Sequence, residues 1–337
     1  MILGRELPNY PYNLKAILTR CLVKGRRELF GGPLSRWSSH APLPVCAKGQ
    51  AANDLVASLL AADSPCLISR FGSGEMETTL RGIDVSRNCS LLKKIGLMLI
   101  GESGPFWWDN SIRAGIVWSG GYFPETDDAL NAFSDRVCED ARELDLIGSW
   151  LPGEKYIMSH FNPSLRSIPI NDLEPFTFKS PWTGVLKGKK VLAVHPFADT
   201  IPSQYAKRRH LFKNPDMLPD FELTTYRTIS SFAGNKTPYA TWFDALEKMC
   251  GDIAKFDFDI ALIGCGAYGM SIGAFIKREL KRKAVHLGGM TQLLFGIKGR
   301  RWEGIPKYDA LFNEHWVRPF ESDTITAAKT IENGCYW

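Results

Sequence analysis

Residues 258–269 read Phe-Asp-Ile-Ala-Leu-Ile-Gly-Cys-Gly-Ala-Tyr-Gly, a short apolar run that breaks into closely spaced glycines. A run of that length suits a strand buried on both faces. The glycines then permit a tight turn into a helix whose first amides lie bare. About twenty residues later, 284–294 repeats the strand, glycine turn and helix start as Ala-Val-His-Leu-Gly-Gly-Met-Thr-Gln-Leu-Leu. Two successive units of this kind constrain the second half of the chain to a Rossmann-like arrangement in which main-chain nitrogens bind phosphate.

The rest of the 337 residues alternates in a similar way. Helices are expected over 54–62, 75–80, 91–100, 126–144, 203–212 and 239–255. Strands are expected over 65–71, 190–195, 221–229, 259–263 and 284–287. Residues 148–187 hold short apolar runs and several prolines and receive no definite element. Strands alternating with helices give an α/β fold, a mainly parallel sheet with helices on both faces. The expected division is a basic N-terminal helical extension and linker (1–45), one Rossmann-like domain (46–320) and a C-terminal tail (321–337).

Charge is unevenly placed. Residues 1–40 carry seven basic and two acidic side chains, which equals the formal excess of +5 for the whole chain. The remainder is neutral, so a broad nucleic-acid-binding face is not indicated. Residues 13–30 have an amphipathic helical pattern, closed by Gly31, Gly32 and Pro33. Such a helix either rests peripherally on an anionic membrane surface or docks on its own domain or a second subunit. Docking is the simpler reading, because amphipathicity is the default for any surface helix. The eight cysteines are singletons without a C-x-x-C pair, and no apolar run approaches a bilayer span. A reduced, cytoplasmic setting is expected, with the inner face of the membrane as the peripheral alternative.

Ligands of open parallel sheets sit beyond the carboxyl ends of the strands. Four such ends carry polar or glycine-rich turns. In Ser69-Arg70-Phe71-Gly72-Ser73-Gly74-Glu75, Arg70 offers a cation for a diphosphate and Glu75 a carboxylate for a metal or hydroxyl. The bland alternative has Ser73 capping the next helix and Glu75 complementing its dipole. In 194–202, His195 suits a donor or base, while Asp199 or Thr200 suits a helix cap. Gly264, Gly266 and Gly269, with Tyr268 between them, match G-x-G-x-x-G in strand–turn–helix context. A dinucleotide site also expects an acidic residue at the end of the next strand. That strand ends at His286, Gly288 and Gly289 instead, which counts against NAD and leaves phosphate binding intact. The loop Lys298-Gly299-Arg300-Arg301 is a further source of positive charge near the mouth, or simply solvated. Phe106, Trp107 and Trp108 fit packing better than catalysis, and Cys265 fits packing better than a nucleophile.

Three segments together resemble the GT-D-type glycosyltransferases: 67–75 around Arg70 and Glu75, 262–269 around the glycine turn, and 286–302 from His286 to Trp302. The resemblance spans roughly residues 55–305. It implies a Rossmann-like GT-D fold that moves a sugar from a nucleotide donor, typically a UDP-sugar, with Mn²⁺ or Mg²⁺. The family belongs to bacterial surface-polysaccharide and glycoprotein assembly. Its Arg-Phe-Gly-Asp-Gly-Glu stretch appears here as Arg70-Phe71-Gly72-Ser73-Gly74-Glu75. The aspartate position is Ser73, so the metal would rest on Glu75, with Glu77 and Asp84 the nearest carboxylates in sequence.

The resulting expectation is a glycosyltransferase acting on a polysaccharide, glycolipid or glycoprotein acceptor. Gly72, Gly264, Gly266, Tyr268, Gly269, His286, Gly288 and Gly289 would cradle the nucleotide diphosphate. Glu75 and Arg70 would stabilise the leaving group, and His195 or Asp199 would deprotonate the acceptor. Self-association is among the expected interactions. The alternatives are an NAD(P)-dependent oxidoreductase and a non-catalytic nucleotide-sugar-binding scaffold.

Overall fold

The computed structural model describes residues 43–325 and 336, together with Cys21, Lys24, Gly25 and Glu28. The amphipathic segment expected over 13–30 therefore falls almost entirely outside the described residues.

Seven strands form one sheet: β1 (Leu67–Ser69), β2 (Leu146–Ser149), β3 (Arg166–Pro169), β4 (Lys190–His195), β5 (Glu222–Arg227), β6 (Ile260–Ile263) and β7 (Lys283–His286). Their order is β3-β2-β1-β7-β6-β4-β5, and every neighbouring pair is parallel. A parallel connection needs a crossover, so helices must lie on the faces and the central strands are buried on both sides. The arrangement is α/β and Rossmann-like.

The register explains how these short strands share one core. Leu146, Ile68, Val285, Leu262 and Ala193 are aligned across five neighbouring strands. They face one layer, where Val56, Leu60, Trp182 and Phe295 cover them. The intervening residues Leu67, Ile147, Ala261, Ile263, Leu192 and Val194 face the other layer, packed by Phe133, Trp242, Tyr268 and Ile272. Period-two alternation thus feeds two hydrophobic layers from one sheet.

Two strands lie where the sequence suggested none, in and beside the segment 148–187. β2 contains Gly148 and Ser149, and β3 ends at Pro169, so neither shows the continuous β-branched run of a buried strand. Between them runs the helix Glu154–Phe161. Elsewhere the expected elements occur with shifted ends; the helix expected from 75, for example, spans Ser73–Ser86.

The expected tail also reaches into the fold. Asp323 is buried, and its carboxylate accepts from the Thr200 amide (2.7 Å), the Thr200 hydroxyl (2.6 Å) and the Arg227 guanidinium (2.6 Å). It thereby supplies the cap of the helix Thr200–Ala206, because the N-cap residue Asp199 makes no capping bond of its own. Asp323→Ala leaves those donors unmatched beside a half-exposed cation. Urea unfolding should register a loss of about 2–3 kcal/mol, with a smaller loss for Asp323→Asn.

Candidate functional site

β1, β7, β6 and β4 are consecutive in the sheet, so their carboxyl ends open side by side. β1 runs into Arg70, β7 ends at His286, β6 runs into Gly264 and β4 ends at His195. One cleft is lined by Arg70, Gly72, Glu75, His195, Gly264, Gly266, His286, Gly288 and Gly289. Nine of the twelve residues singled out from sequence therefore meet on one rim. The other three, Tyr268, Gly269 and Asp199, do not line it.

The glycines are there for steric reasons. A Cβ on Gly264 would lie 2.6 Å from the Gly288 carbonyl oxygen and 2.7 Å from the His195 ring. Gly266 and Gly288 have φ of +62° and +61°, a region other residues adopt at a cost. A Cβ on Gly288 would stand 2.8 Å from an Arg70 guanidinium nitrogen. The bare turns thus let backbone and Arg70 approach one another closely. The amides of Cys265, Gly266 and Gly289 donate to no backbone carbonyl among the described residues, and of the three Gly266 and Gly289 line the cleft.

Arg70 is the centre of the electrostatics. Its guanidinium makes no hydrogen bond or ion pair to any described residue, and it lies over the Trp150 ring at 5.4 Å. Burial works against its charge, partly offset by Glu75. Trp150 is itself fixed, because its indole N–H donates to the Phe71 carbonyl at 3.0 Å. Its backbone amide donates to Glu154, a fully buried carboxylate that also accepts from the Ser149 hydroxyl and the Leu151 amide. A cation held this way, short of partners and partly desolvated, favours an anion.

Glu75 lies in the first turn of the helix Ser73–Ser86 and folds back over Gly72, where a Cβ would collide with its carboxylate. Gly72, not Ser73, is the N-cap residue, and it has no side chain to offer. Burial raises the Glu75 carboxyl above its ordinary value, with Arg70 and its own amide opposing.

The two histidines are neutral donors or acceptors rather than charged groups. Burial lowers both to about 3, and the Arg70 charge adds to the effect at His286. His195 Nδ1 accepts from the Phe197 amide at 3.0 Å, so the neutral ring carries its proton on Nε2 and has no lone pair left to act as a base. His286 Nδ1 meets the Ser69 hydroxyl at 2.9 Å, and the same ring packs against Gly269. Gly269 is thus a spacer beneath the cleft. Tyr268 is buried and stacked on Trp242 at 4.8 Å, a core residue. Asp199 is paired on the surface with Arg227 at 2.6 Å, and Ser322 and Arg227 hold it below the usual carboxylate value. Cys265 is buried with its thiol pushed up by desolvation, which suits packing.

A divalent cation finds few ligands in this cleft. Among the described residues no three His, Cys, Asp or Glu side chains converge. Among the described residues, Glu75 is the sole carboxylate lining the compartment that holds the glycine turns. Asp84 is buried and accepts from the Gly104 amide at 2.7 Å, while Glu77 has Arg81 and Asp109 as its charged neighbours. These donors do not fit Mn²⁺ or Mg²⁺ held by the protein alone.

Trp150, Tyr336, Phe232, Ser119 and Gln292 also line the cleft and were not singled out from sequence; Arg301 was read only as part of a basic loop. A strongly apolar residue straight after β2 was the available signal for Trp150, and it required β2 to be recognised first. Comparisons of the chain with protein families, with characterised proteins and with solved structures return no match. Among the described residues no helix is long and apolar enough to cross a membrane.

The histidines give the site a measurable pH signature. Both rings titrate near 6.5 when unfolded and near 3 when folded. The unfolded chain therefore binds more protons between those values, and stability rises with pH across that window. Urea midpoints should fall as pH drops from 6.5 toward 5. The double variant His195→Gln with His286→Gln should show a shallower dependence; an unchanged slope would count against neutral, buried rings.

Proposed function

We propose that the chain is a GT-D-type glycosyltransferase that uses a nucleotide-sugar donor, most simply a UDP-sugar, to glycosylate a glycan, glycolipid or protein acceptor of bacterial surface assembly. The observation that carries this reading is Arg70, a half-buried guanidinium that makes no hydrogen bond or ion pair to a described residue, set among bare glycine turns at the ends of four adjacent parallel strands. Pyrophosphate is the ligand whose charge and oxygen spacing match a guanidinium, free amides and a neutral imidazole N–H together.

Each residue then has a distinct task. Arg70 pairs with the diphosphate, and the amides of Cys265, Gly266 and Gly289 with His195 Nε2–H share its oxygens. Glu75 takes the proton of the acceptor hydroxyl in an inverting transfer. The acceptor oxygen bonds to the anomeric carbon as the anomeric carbon–phosphate oxygen bond breaks, and the electron pair leaves on the nucleoside diphosphate. Arg70 stabilises that growing charge where it develops, the usual source of the largest catalytic effect. A raised carboxyl suits Glu75 to the base role, since burial makes its carboxylate a stronger proton acceptor than an ordinary glutamate. His195 is left as a donor because its other nitrogen is engaged.

The oxidoreductase alternative is weakened at the same place. The end of β7 offers His286, neutral and joined to Ser69, where a dinucleotide site holds a carboxylate for the ribose.

A thermal-shift screen of nucleotide sugars should give its largest response with intact donors, and Arg70→Gln should weaken UDP binding by at least tenfold. Response to NAD(H) alone would favour the oxidoreductase. Glu75→Gln should retain donor binding and lose transfer by a factor of about 10² or more. The acid limb of kcat/KM should lie above pH 4.5, because Glu75 must be deprotonated and burial raises it. Undiminished turnover by Glu75→Gln would remove it from the mechanism.

A further inference from the structure

Beyond Arg70 the cleft continues into a second compartment of about 250 Å³, against about 100 Å³ for the first. Arg70, Trp150, Gly289, Arg301 and Tyr336 line both. The lining changes character across that wall. One side has glycine turns and imidazoles, whereas the other adds Trp302 and Tyr308 with two polar groups, Asn171 and Glu174. We propose that the second compartment is a saccharide-binding subsite that receives the acceptor sugar. Its role as acceptor site rests on the sugar-transfer reading above; its chemistry as a sugar site does not.

The argument is one of complementarity. A pyranose presents an apolar face of C–H groups and a rim of hydroxyls, so it needs an aromatic platform and a few oriented polar atoms. Trp150, Trp302, Tyr308 and Tyr336 supply the platform. Glu174 supplies the first polar group. It is 7% exposed, and its carboxylate is fixed by Lys307 and by the Tyr308 hydroxyl at 2.9 Å. Each oxygen keeps a lone pair for an incoming hydroxyl. Asn171 supplies the second, with an amide that makes no side-chain hydrogen bond to a described residue and so offers both a donor and an acceptor.

Two other ligands fit less well. A nucleobase stacks best in a slot between near-parallel rings, and the Trp302 and Tyr336 rings are inclined at 60° with centroids 5.9 Å apart. A second phosphate would have to share Arg70 and Arg301, which also line the first compartment, and would meet the Glu174 carboxylate that Lys307 already pairs. A neutral, polyhydroxylated ring meets neither obstacle.

The test uses the full chain and three probes, the methyl β-glycosides of glucose, galactose and N-acetylglucosamine, followed by quenching of intrinsic tryptophan fluorescence. At least one should bind saturably, with and without saturating UDP. Asn171→Ala and Glu174→Gln should each weaken it at least fivefold, with folding checked by circular dichroism. Asn171 is exposed, so its variant retains the fold even if Glu174→Gln does not. Displacement of the glycoside by uridine would overturn the proposal in favour of a base-stacking site. Equal affinity for both variants and the parent would also overturn it. UDP binding without any glycoside binding would reject the saccharide subsite while leaving the donor reading intact.

Discussion

Hydrogen-bond register between parallel strands is the constraint on which this molecule depends. β1, β7, β6 and β4 are locked edge to edge with their ends at one level, so whatever follows each strand must emerge at the same rim. A side chain such as Arg70 and a glycine turn almost two hundred residues away become neighbours by this means alone. No long-range side-chain recognition is needed to assemble the cleft. The backbone ladder does it, and the two apolar layers hold the ladder in this register against competing ones.

Given that frame, the site depends on withholding side chains as much as on providing them. Gly264, Gly266 and Gly288 leave room where even a methyl group would meet backbone, a ring or the guanidinium. The charged groups are then positioned indirectly. Glu154 organises the turn after β2, the turn carries Trp150, and the indole underlies Arg70. Arg70 is therefore aimed by packing and by a buried carboxylate two steps away, while its own nitrogens make no hydrogen bond to a described residue.

Much of this was legible in the residues. The apolar runs of β4 and β6 and the glycines that follow β6 and β7 signal buried strands and tight turns through steric rules that act locally. Arg70, Glu75 and His195 stood out because each sits next to such a turn. What escaped reading was decided at a distance. β2 and β3 are short edge-side strands with glycine, serine and proline in them, stabilised by neighbours and not by propensity. Asp199 has the composition of a helix cap, yet Asp323 bonds the Thr200 amide while Arg227 holds Asp199 at the surface. Tyr268 belongs to the glycine motif by spacing but faces the core, because the first turn of its helix packs inward.

The wall between the two compartments has a thermodynamic consequence. Arg70, Trp150, Gly289, Arg301 and Tyr336 belong to both, so neither chamber can fill without altering the shape or field of its neighbour. Two occupants would then be linked: whatever one gains from the presence of the other, the other gains in equal measure. An anion that draws the guanidinium toward the glycine turns would unload the indole beneath it. In this way a single planar cation can act as a ledge shared by two guests, and the order in which they arrive becomes a property of the fold.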